Sequence, residues 1–362
     1  MRKCLSIIIS CVLLCVSPAY SVHATEMVAK DFVATVQSPT ATVVTPSPTT
    51  EILPEEVALA ADIVDTSNHT YTYTEMSEDI AALYNRYPEY MTFSSVGKSV
   101  DNRDIWQIII GNPNAPHAIY VQSTIHGREW MNSWLVMKQA EELLKNYNTT
   151  VLNHVTYAHV FEKCAIYILP MTNPDGVTIS QFGINSIVSP TLRANLSKMS
   201  GASTPSLWKA NANGVDLNRN FSVGWGTTVN VTAPSGSFYN GIAPNTEPET
   251  LAIMNAFNQR EFTIAVSYHS MENAIYWNVG QTGELYEKSL TLAKQVRDIT
   301  GYKLGNRSEP HGLAYNWFVH AKQVPTALIE TGSVSCPLPY SQWEPIWKAN
   351  KDVLAKLVVY YI

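Results

Sequence analysis

Four of the nine histidines in this chain have a glutamate three residues further on: His23 with Glu26, His126 with Glu129, His159 with Glu162, and His269 with Glu272. On a tight turn, an imidazole and a carboxylate so spaced converge on one cation, and neutral histidine with Asp or Glu is the ligand set of catalytic zinc. Spacing alone does not choose among the pairs. Position says more: His126 closes an apolar, β-rich run over 118–125 and precedes a helical pattern that begins near Trp130. Such strand-to-helix turns are where open α/β sheets keep their binding crevices. His269 follows the apolar run 262–268, and Glu330 ends the run Ala327-Leu328-Ile329. If the three strands are parallel, these groups lie along one sheet edge and face one crevice. Two imidazoles and a carboxylate would hold zinc with residual positive charge and leave a position for water, while Glu330, beside the metal but not on it, would be the general base for attack on an amide. Whether Glu129 or Glu272 completes the ligand set stays open on spacing. His159 and Glu162 lie on a polar stretch and are expected in solvent.

The elements that must position these groups follow from period and punctuation. Residues 77–87 carry Ile80, Leu83 and Tyr84 at helical spacing behind a Ser77 cap, and Tyr87-Pro88 stops the helix. Strands at 91–96 and 103–110 form a hairpin around a turn at 97–102. The strand to Ile125, a helix at 130–147 and a strand at 164–169 come next. Residues 171–226 are dominated by Asn, Gly and Ser and read as a long irregular stretch, which in a compact domain signals function. A helix at 247–258, a strand at 262–268, helices at 284–300 and 315–321, a strand at 326–330 and a closing helix at 342–360 complete the pattern. Alternating strands and helices argue an α/β sandwich around a largely parallel sheet with an antiparallel hairpin. There is no internal repeat and no sign of a second globular domain.

With 362 residues, 46% hydrophobic and 15% charged, the chain has room for a sizeable core. Its net charge of −6 offers no basic field for nucleic acid. Arg2 and Lys3, an apolar run from Leu5 to Val16, and Val22-His23-Ala24 read as a cleaved export leader over 1–24, too short to span a membrane. A lipid anchor at Cys11 is disfavoured, because only about five apolar residues precede it where roughly 7–15 are expected. Residues 25–69, rich in Thr and Pro, read as a spacer, and the folded domain is expected over 70–362. Without the leader, Cys164 and Cys336 remain, too few for a disulfide framework but open to one bridge.

The stretch Thr124-Ile125-His126-Gly127-Arg128-Glu129-Trp130-Met131 closely resembles the zinc-binding signature of the carboxypeptidase A family of zinc metallopeptidases. The family's landmarks continue in order through Pro170-Met171-Thr172-Asn173-Pro174-Asp175-Gly176, Gly214-Val215-Asp216-Leu217-Asn218-Arg219-Asn220-Phe221, Ser267-Tyr268-His269-Ser270 and Leu328-Ile329-Glu330-Thr331-Gly332. The resemblance covers roughly residues 70–362. It implies a mixed, largely parallel eight-stranded sheet sandwiched between helices, and one zinc ion per chain held by His126, Glu129 and His269, with Glu330 as base. It further implies that Asp216 orients His126, that Asn218 and Arg219 anchor the substrate's terminal carboxylate, and that Arg128 binds substrate. By the same spacing Gly280, Tyr315 and Leu328 line the pocket for the released residue, and the absence of an acidic residue among them argues against a preference for Lys or Arg.

Two positions depart from the pattern. After Trp208 the family commonly has an arginine that stabilises the oxyanion, where this chain has Lys209, which supplies charge but no planar fork. The tyrosine that animal digestive members place over the substrate has no clear match; Ser308 falls near its position, with Tyr302 and His311 as neighbours. Trp208-Lys209-Ala210-Asn211, Ser267-Tyr268-His269-Ser270-Met271 and the short N-terminal region look more like the bacterial branch that cleaves γ-D-glutamyl-diaminopimelate bonds of cell-wall peptides. The expectation is therefore a secreted, monomeric zinc peptidase acting on peptides, with stem peptides of peptidoglycan as substrate. The rivals are a general metallocarboxypeptidase and an inactive peptide-binding module.

Overall fold

The computed structural model describes residues 61–362 apart from 149–150, 153–154, 228–230 and 307–310. The expected leader over 1–24 and most of the expected spacer lie outside the described residues.

Among the described residues, ten strands and ten helices follow in chain order. Helix α1 (Tyr73–Arg86) leads into the hairpin β1 (Met91–Lys98) and β2 (Asp104–Ile110), then β3 (His117–Ser123) and α2 (Met131–Lys145). A small ladder of β4 (Val151–Leu152) with β5 (Val155–Thr156) precedes α3 (Tyr157–Lys163), β6 (Cys164–Leu169), α4 (Pro174–Phe182) and α5 (Pro190–Leu196). The chain continues through α6 (Pro248–Phe257), β7 (Ile264–His269), β8 (Ala274–Asn278), α7 (Gly283–Thr300), β9 (Lys303–Asn306) and α8 (Ala314–Asn316), and ends with β10 (Thr326–Glu330), α9 (Trp343–Asn350) and α10 (Val353–Tyr360).

The main sheet has eight strands in the order β1-β2-β6-β3-β7-β10-β8-β9. The central four, β6, β3, β7 and β10, run parallel, while β2 and β8 flank them antiparallel. Side chains alternate across a strand, and the core divides accordingly. Ile119, Val121, Ile166, Ile168, Ile264, Val266, Ala327 and Ile329 pack on one face with residues of α1, α2, α3, α7, α9 and α10. Ala118, Tyr120, Ala165, Tyr167 and Ala265 pack on the other, against α6 and the turn Trp317–Ala321.

Several elements differ from the sequence reading. Helix α1 starts earlier because Thr72, not Ser77, caps it, with Glu75 completing a reciprocal capping box; the Ser77 hydroxyl instead donates to the Tyr73 carbonyl. The stretch 171–226 contains two helices, each opened by Pro at its first position behind a side-chain cap: Asn173 to Gly176 N–H, and Ser189 to Leu192 N–H. The closing helix breaks in two because the Asn350 carbonyl, at 2.6 Å, accepts the Gln139 side-chain amide instead of continuing the helical ladder. Packing also begins before the expected boundary at Thr70. Val64 is buried, the Ile63 N–H donates to Glu141, and Asp62 pairs with Lys138 and Lys145 on α2. Cys164 and Cys336 are both free thiols.

Candidate functional site

The parallel register sets the site. Glu330 stands opposite His269 across β10 and β7, and Ser123 opposite Tyr268 across β3 and β7, so three strands end at one level. A network across 199 residues of sequence locks these ends together: Thr331 Oγ1 donates to Asn132 Oδ1 at 2.7 Å, and Asn132 Nδ2 donates to Ser270 Oγ at 3.1 Å. The Thr331 N–H donates to the His269 carbonyl at 2.8 Å.

Beyond β3 the chain turns sharply. Thr124 sits at φ 56°, a strained conformation for a β-branched residue, costing on the order of 1–3 kcal/mol; it is buried, with its hydroxyl bonded by Ser133 at 2.8 Å. The turn Gly127–Glu129 then carries the Glu129 carboxylate between two imidazoles. His126 Nδ1 lies 2.7 Å from Glu129 Oε1, and His269 Nδ1 lies 3.1 Å from Glu129 Oε2. All three side chains are buried, and their ligating atoms lie within 4.8 Å of one another. Burial works against ionisation of Glu129, but the two imidazoles outweigh it and hold the carboxyl well below its ordinary range.

The back of His126 is held too. Its Nε2 lies 3.3 Å from Asp216 Oδ1, and Asp216 also accepts the N–H groups of Asn218 and Phe238, both at 3.2 Å. Burial opposes the charge on Asp216, yet Lys209, His126 and Arg219 together keep its carboxyl well below the usual range. Lys209 is buried, 3.8 Å from Asp216 Oδ2, with its ammonium over the Phe238 ring.

Two imidazoles presenting Nδ1 and one carboxylate, with one imidazole oriented from behind by an acid, match what zinc takes from protein. This donor set fits the ion. Glu272, the rival carboxylate, is exposed and accepts the Tyr276 hydroxyl. His159 and Glu162 lie 4.0 Å apart in solvent. The pair His23 and Glu26 lies outside the described residues.

Each of the remaining candidates is held by contacts of its own. Asn218 is buried and its Oδ1 accepts the Ala314 N–H at 3.0 Å; Arg219 Nη1 donates to the Asn218 carbonyl at 2.7 Å. Tyr315 and Leu328 are buried in one apolar cluster with Val279, and Gly280 follows Val279 at the surface. Arg128 is largely buried. Tyr302 is remote from these groups, buried in the core with its hydroxyl accepting from Asn350, whereas His311 lies on the rim, 3.3 Å from the Thr227 hydroxyl. Ser308 lies outside the described residues.

Asn173 has a role the sequence reading missed. Its Nδ2 lies 3.1 to 3.2 Å from the carbonyls of Ile125, Lys209 and Ala210, so one side chain ties the metal turn to the Lys209 segment. Its signal was present, an Asn before Pro at a helix start.

A model of the zinc carboxypeptidase family matches residues 76–329. The chain belongs to the zinc carboxypeptidase family. It is therefore a metallopeptidase, a hydrolase of peptide bonds. It is 29% identical over 286 residues to γ-D-glutamyl-L-diamino acid endopeptidase 1 of Lysinibacillus sphaericus, covering 77% of this chain and 69% of that protein. It is 27% identical to human mast cell carboxypeptidase A, covering 68% of this chain and 57% of that one. Among solved structures, thrombin activatable fibrinolysis inhibitor aligns with a TM-score of 0.66 at 18% identity over 83% of this chain and 77% of that chain. This zinc carboxypeptidase thus shares the family's fold, and no helix among its described residues is long and apolar enough to cross a membrane.

Proposed function

We propose that this zinc carboxypeptidase is an exported peptidase that cuts the amide bond between a γ-D-glutamyl residue and a terminal diamino acid in cell-wall peptides. The observation that carries the chemistry is the convergence of His126 Nδ1 and His269 Nδ1 on the one carboxylate of Glu129. His126, Glu129 and His269 would hold zinc, which when bound would supply Lewis acidity toward the scissile carbonyl and water. Glu330, buried and paired in register with His269, takes the proton of the attacking water and delivers it to the leaving nitrogen. Lys209 provides a fixed positive charge for the oxygen that becomes negative as the carbonyl is attacked. Asn218 and Arg219 hold the carboxylate of the leaving residue, the guanidinium through two parallel hydrogen bonds. Asp216 keeps His126 in the tautomer that presents Nδ1. Gly280, Tyr315 and Leu328 border the space for the leaving side chain, and none of the three is an acid that would favour Lys or Arg.

The substrate reading is supported by the bacterial endopeptidase, which matches a larger share of this chain at slightly higher identity than the mast cell enzyme does. Export is part of the reading, supported by Arg2 and Lys3 ahead of the apolar run from Leu5 to Val16. The deciding experiment incubates the purified zinc enzyme with L-Ala-γ-D-Glu-meso-diaminopimelate and, separately, with α-linked peptides whose C-termini are free or blocked. Release of meso-diaminopimelate is the expected outcome. Trimming of the free α-linked peptides alone would instead establish a general carboxypeptidase.

A further inference from the structure

Arg128 lies in the chain between two of the three metal-binding residues, yet no carboxylate among the described residues pairs with it. It is largely buried, and its Nε is sealed from solvent without a hydrogen-bond partner among the described residues. The side chain lines a cavity of about 310 Å³ whose other walls include Ser200, Thr204, Trp208, Ser235 and Ser237. No Asp or Glu among the described residues lines it. A guanidinium nitrogen shut off from water without an acceptor is costly, and the group's planar fork matches a carboxylate.

The cavity adjoins the metal turn at two points. Arg128 belongs to that turn, and Trp208 precedes Lys209, whose carbonyl accepts the Gly127 N–H at 3.1 Å. It shares no residue with the apolar cluster of Tyr315 and Leu328. Asn218 and Arg219 take the carboxylate beside the leaving nitrogen, and the second carboxylate of a diaminopimelyl residue sits at the end of its side chain, on the side of Tyr315 and Leu328, which share no residue with this cavity. The carboxylate that fits the cavity is therefore one from the other side of the bond.

The geometry points to this cavity as a carboxylate-binding site for the acyl half of the substrate. For the identity of that carboxylate the inference rests on the γ-D-glutamyl reading above: a glutamyl residue joined through its γ-carboxyl keeps its α-carboxylate free, close to the bond being cut. The cavity thus selects γ-linked glutamyl donors whose α-carboxylate is ionised and disfavours those in which it is amidated.

The test compares kcat/KM for L-Ala-γ-D-Glu-meso-diaminopimelate with that for the same peptide carrying a primary amide at the glutamyl α-position. The wild-type enzyme should favour the acid by roughly tenfold to a hundredfold, the effect of one buried charged hydrogen-bonded pair. Arg128→Gln should bring the two rates together, and Arg128→Lys should restore part of the difference. Equal wild-type rates on acid and amide overturn the assignment without any variant. Should neither γ-linked peptide be cleaved while α-linked peptides are, the γ-D-glutamyl reading fails, and the cavity is then tested on α-linked peptides with Glu or Gln immediately before the scissile bond. A preference for Glu that Arg128→Gln abolishes upholds the carboxylate site; equal rates overturn it.

Discussion

Gly127 lies so close to Gly176 that a Cβ built on it would stand 2.2 Å from the Gly176 carbonyl carbon. Gly176 in turn has no room for a side chain against the Ala210 carbonyl and Asn173. Three backbone segments, the turn Gly127–Glu129, the start of α4 and the irregular stretch at Lys209 and Ala210, are therefore stacked without side chains between them. Gly127→Ala meets backbone rather than a side-chain tip that could swing away. It should cost at least about 3 kcal/mol, the upper end of ordinary overpacking, and lower the zinc bound per chain. Gly283→Ala is the comparison: its Cβ meets nothing within 4 Å and only its φ of 61° is strained, so about 1 kcal/mol is expected. Urea unfolding with zinc analysis checks both, and equal losses in the two variants would refute the stacking argument.

Glu330→Gln keeps the shape of the side chain and removes its basicity. Because Glu330 stands beside His269 rather than among the ligating atoms, zinc should remain at one equivalent while kcat falls by roughly 10²–10⁴. Steady-state kinetics with metal analysis on the same sample separate the two effects. Near-full activity with zinc bound would remove Glu330 from the proton-transfer role.

Much of this site was legible because its ends are strands with strong apolar runs. The strand Cys164–Leu169 and the strand Thr326–Glu330 stand at the limits that their Ile, Leu and Ala content marks, and a parallel sheet brings the residues just past such ends together. What holds those residues was harder to see. Asn132, Ser270 and Thr331 meet through single hydrogen bonds between distant parts of the chain, and no local period announces such a contact. The helices α4 and α5 were hidden for another reason: their caps are Asn and Ser followed by Pro, in a stretch whose Gly and Asn content reads as loop. Short strand β8 and edge strand β9 carry too few residues for alternation to register.

Asp216 touches His126 but none of the other ligating residues, so its loss should weaken zinc binding without abolishing it. Replacing it with Ala removes the acceptor 3.3 Å from His126 Nε2 and two backbone N–H bonds at 3.2 Å. Zinc affinity should fall by about 10- to 100-fold, read by competition with a chelating dye. An unchanged affinity would show that His126 is oriented by the fold alone.

The last prediction concerns the acids behind the site. Glu249 is buried, its two oxygens accepting the Val100 N–H at 3.0 Å and the Asn211 amide at 2.9 Å. Burial, reinforced by nearby Asp175, raises its carboxyl from the ordinary 4.5 to about 8. Asp175 is pushed up as well by burial, against the pull of Asp101 N–H, Ser99 and Arg103. Between about pH 4.5 and 8 the folded protein therefore keeps a proton on Glu249 that the unfolded chain has released. Stability must then fall as pH rises through that interval, the reverse of an acid held by a salt bridge. Denaturant titrations of the zinc-loaded protein at the two ends of the interval should show wild type losing on the order of 2 kcal/mol more than Glu249→Gln, which has no proton to release. Parallel pH profiles for the two proteins would mean that Glu249 is ionised in the fold and that Asn211 and the Val100 N–H suffice to hold its charge.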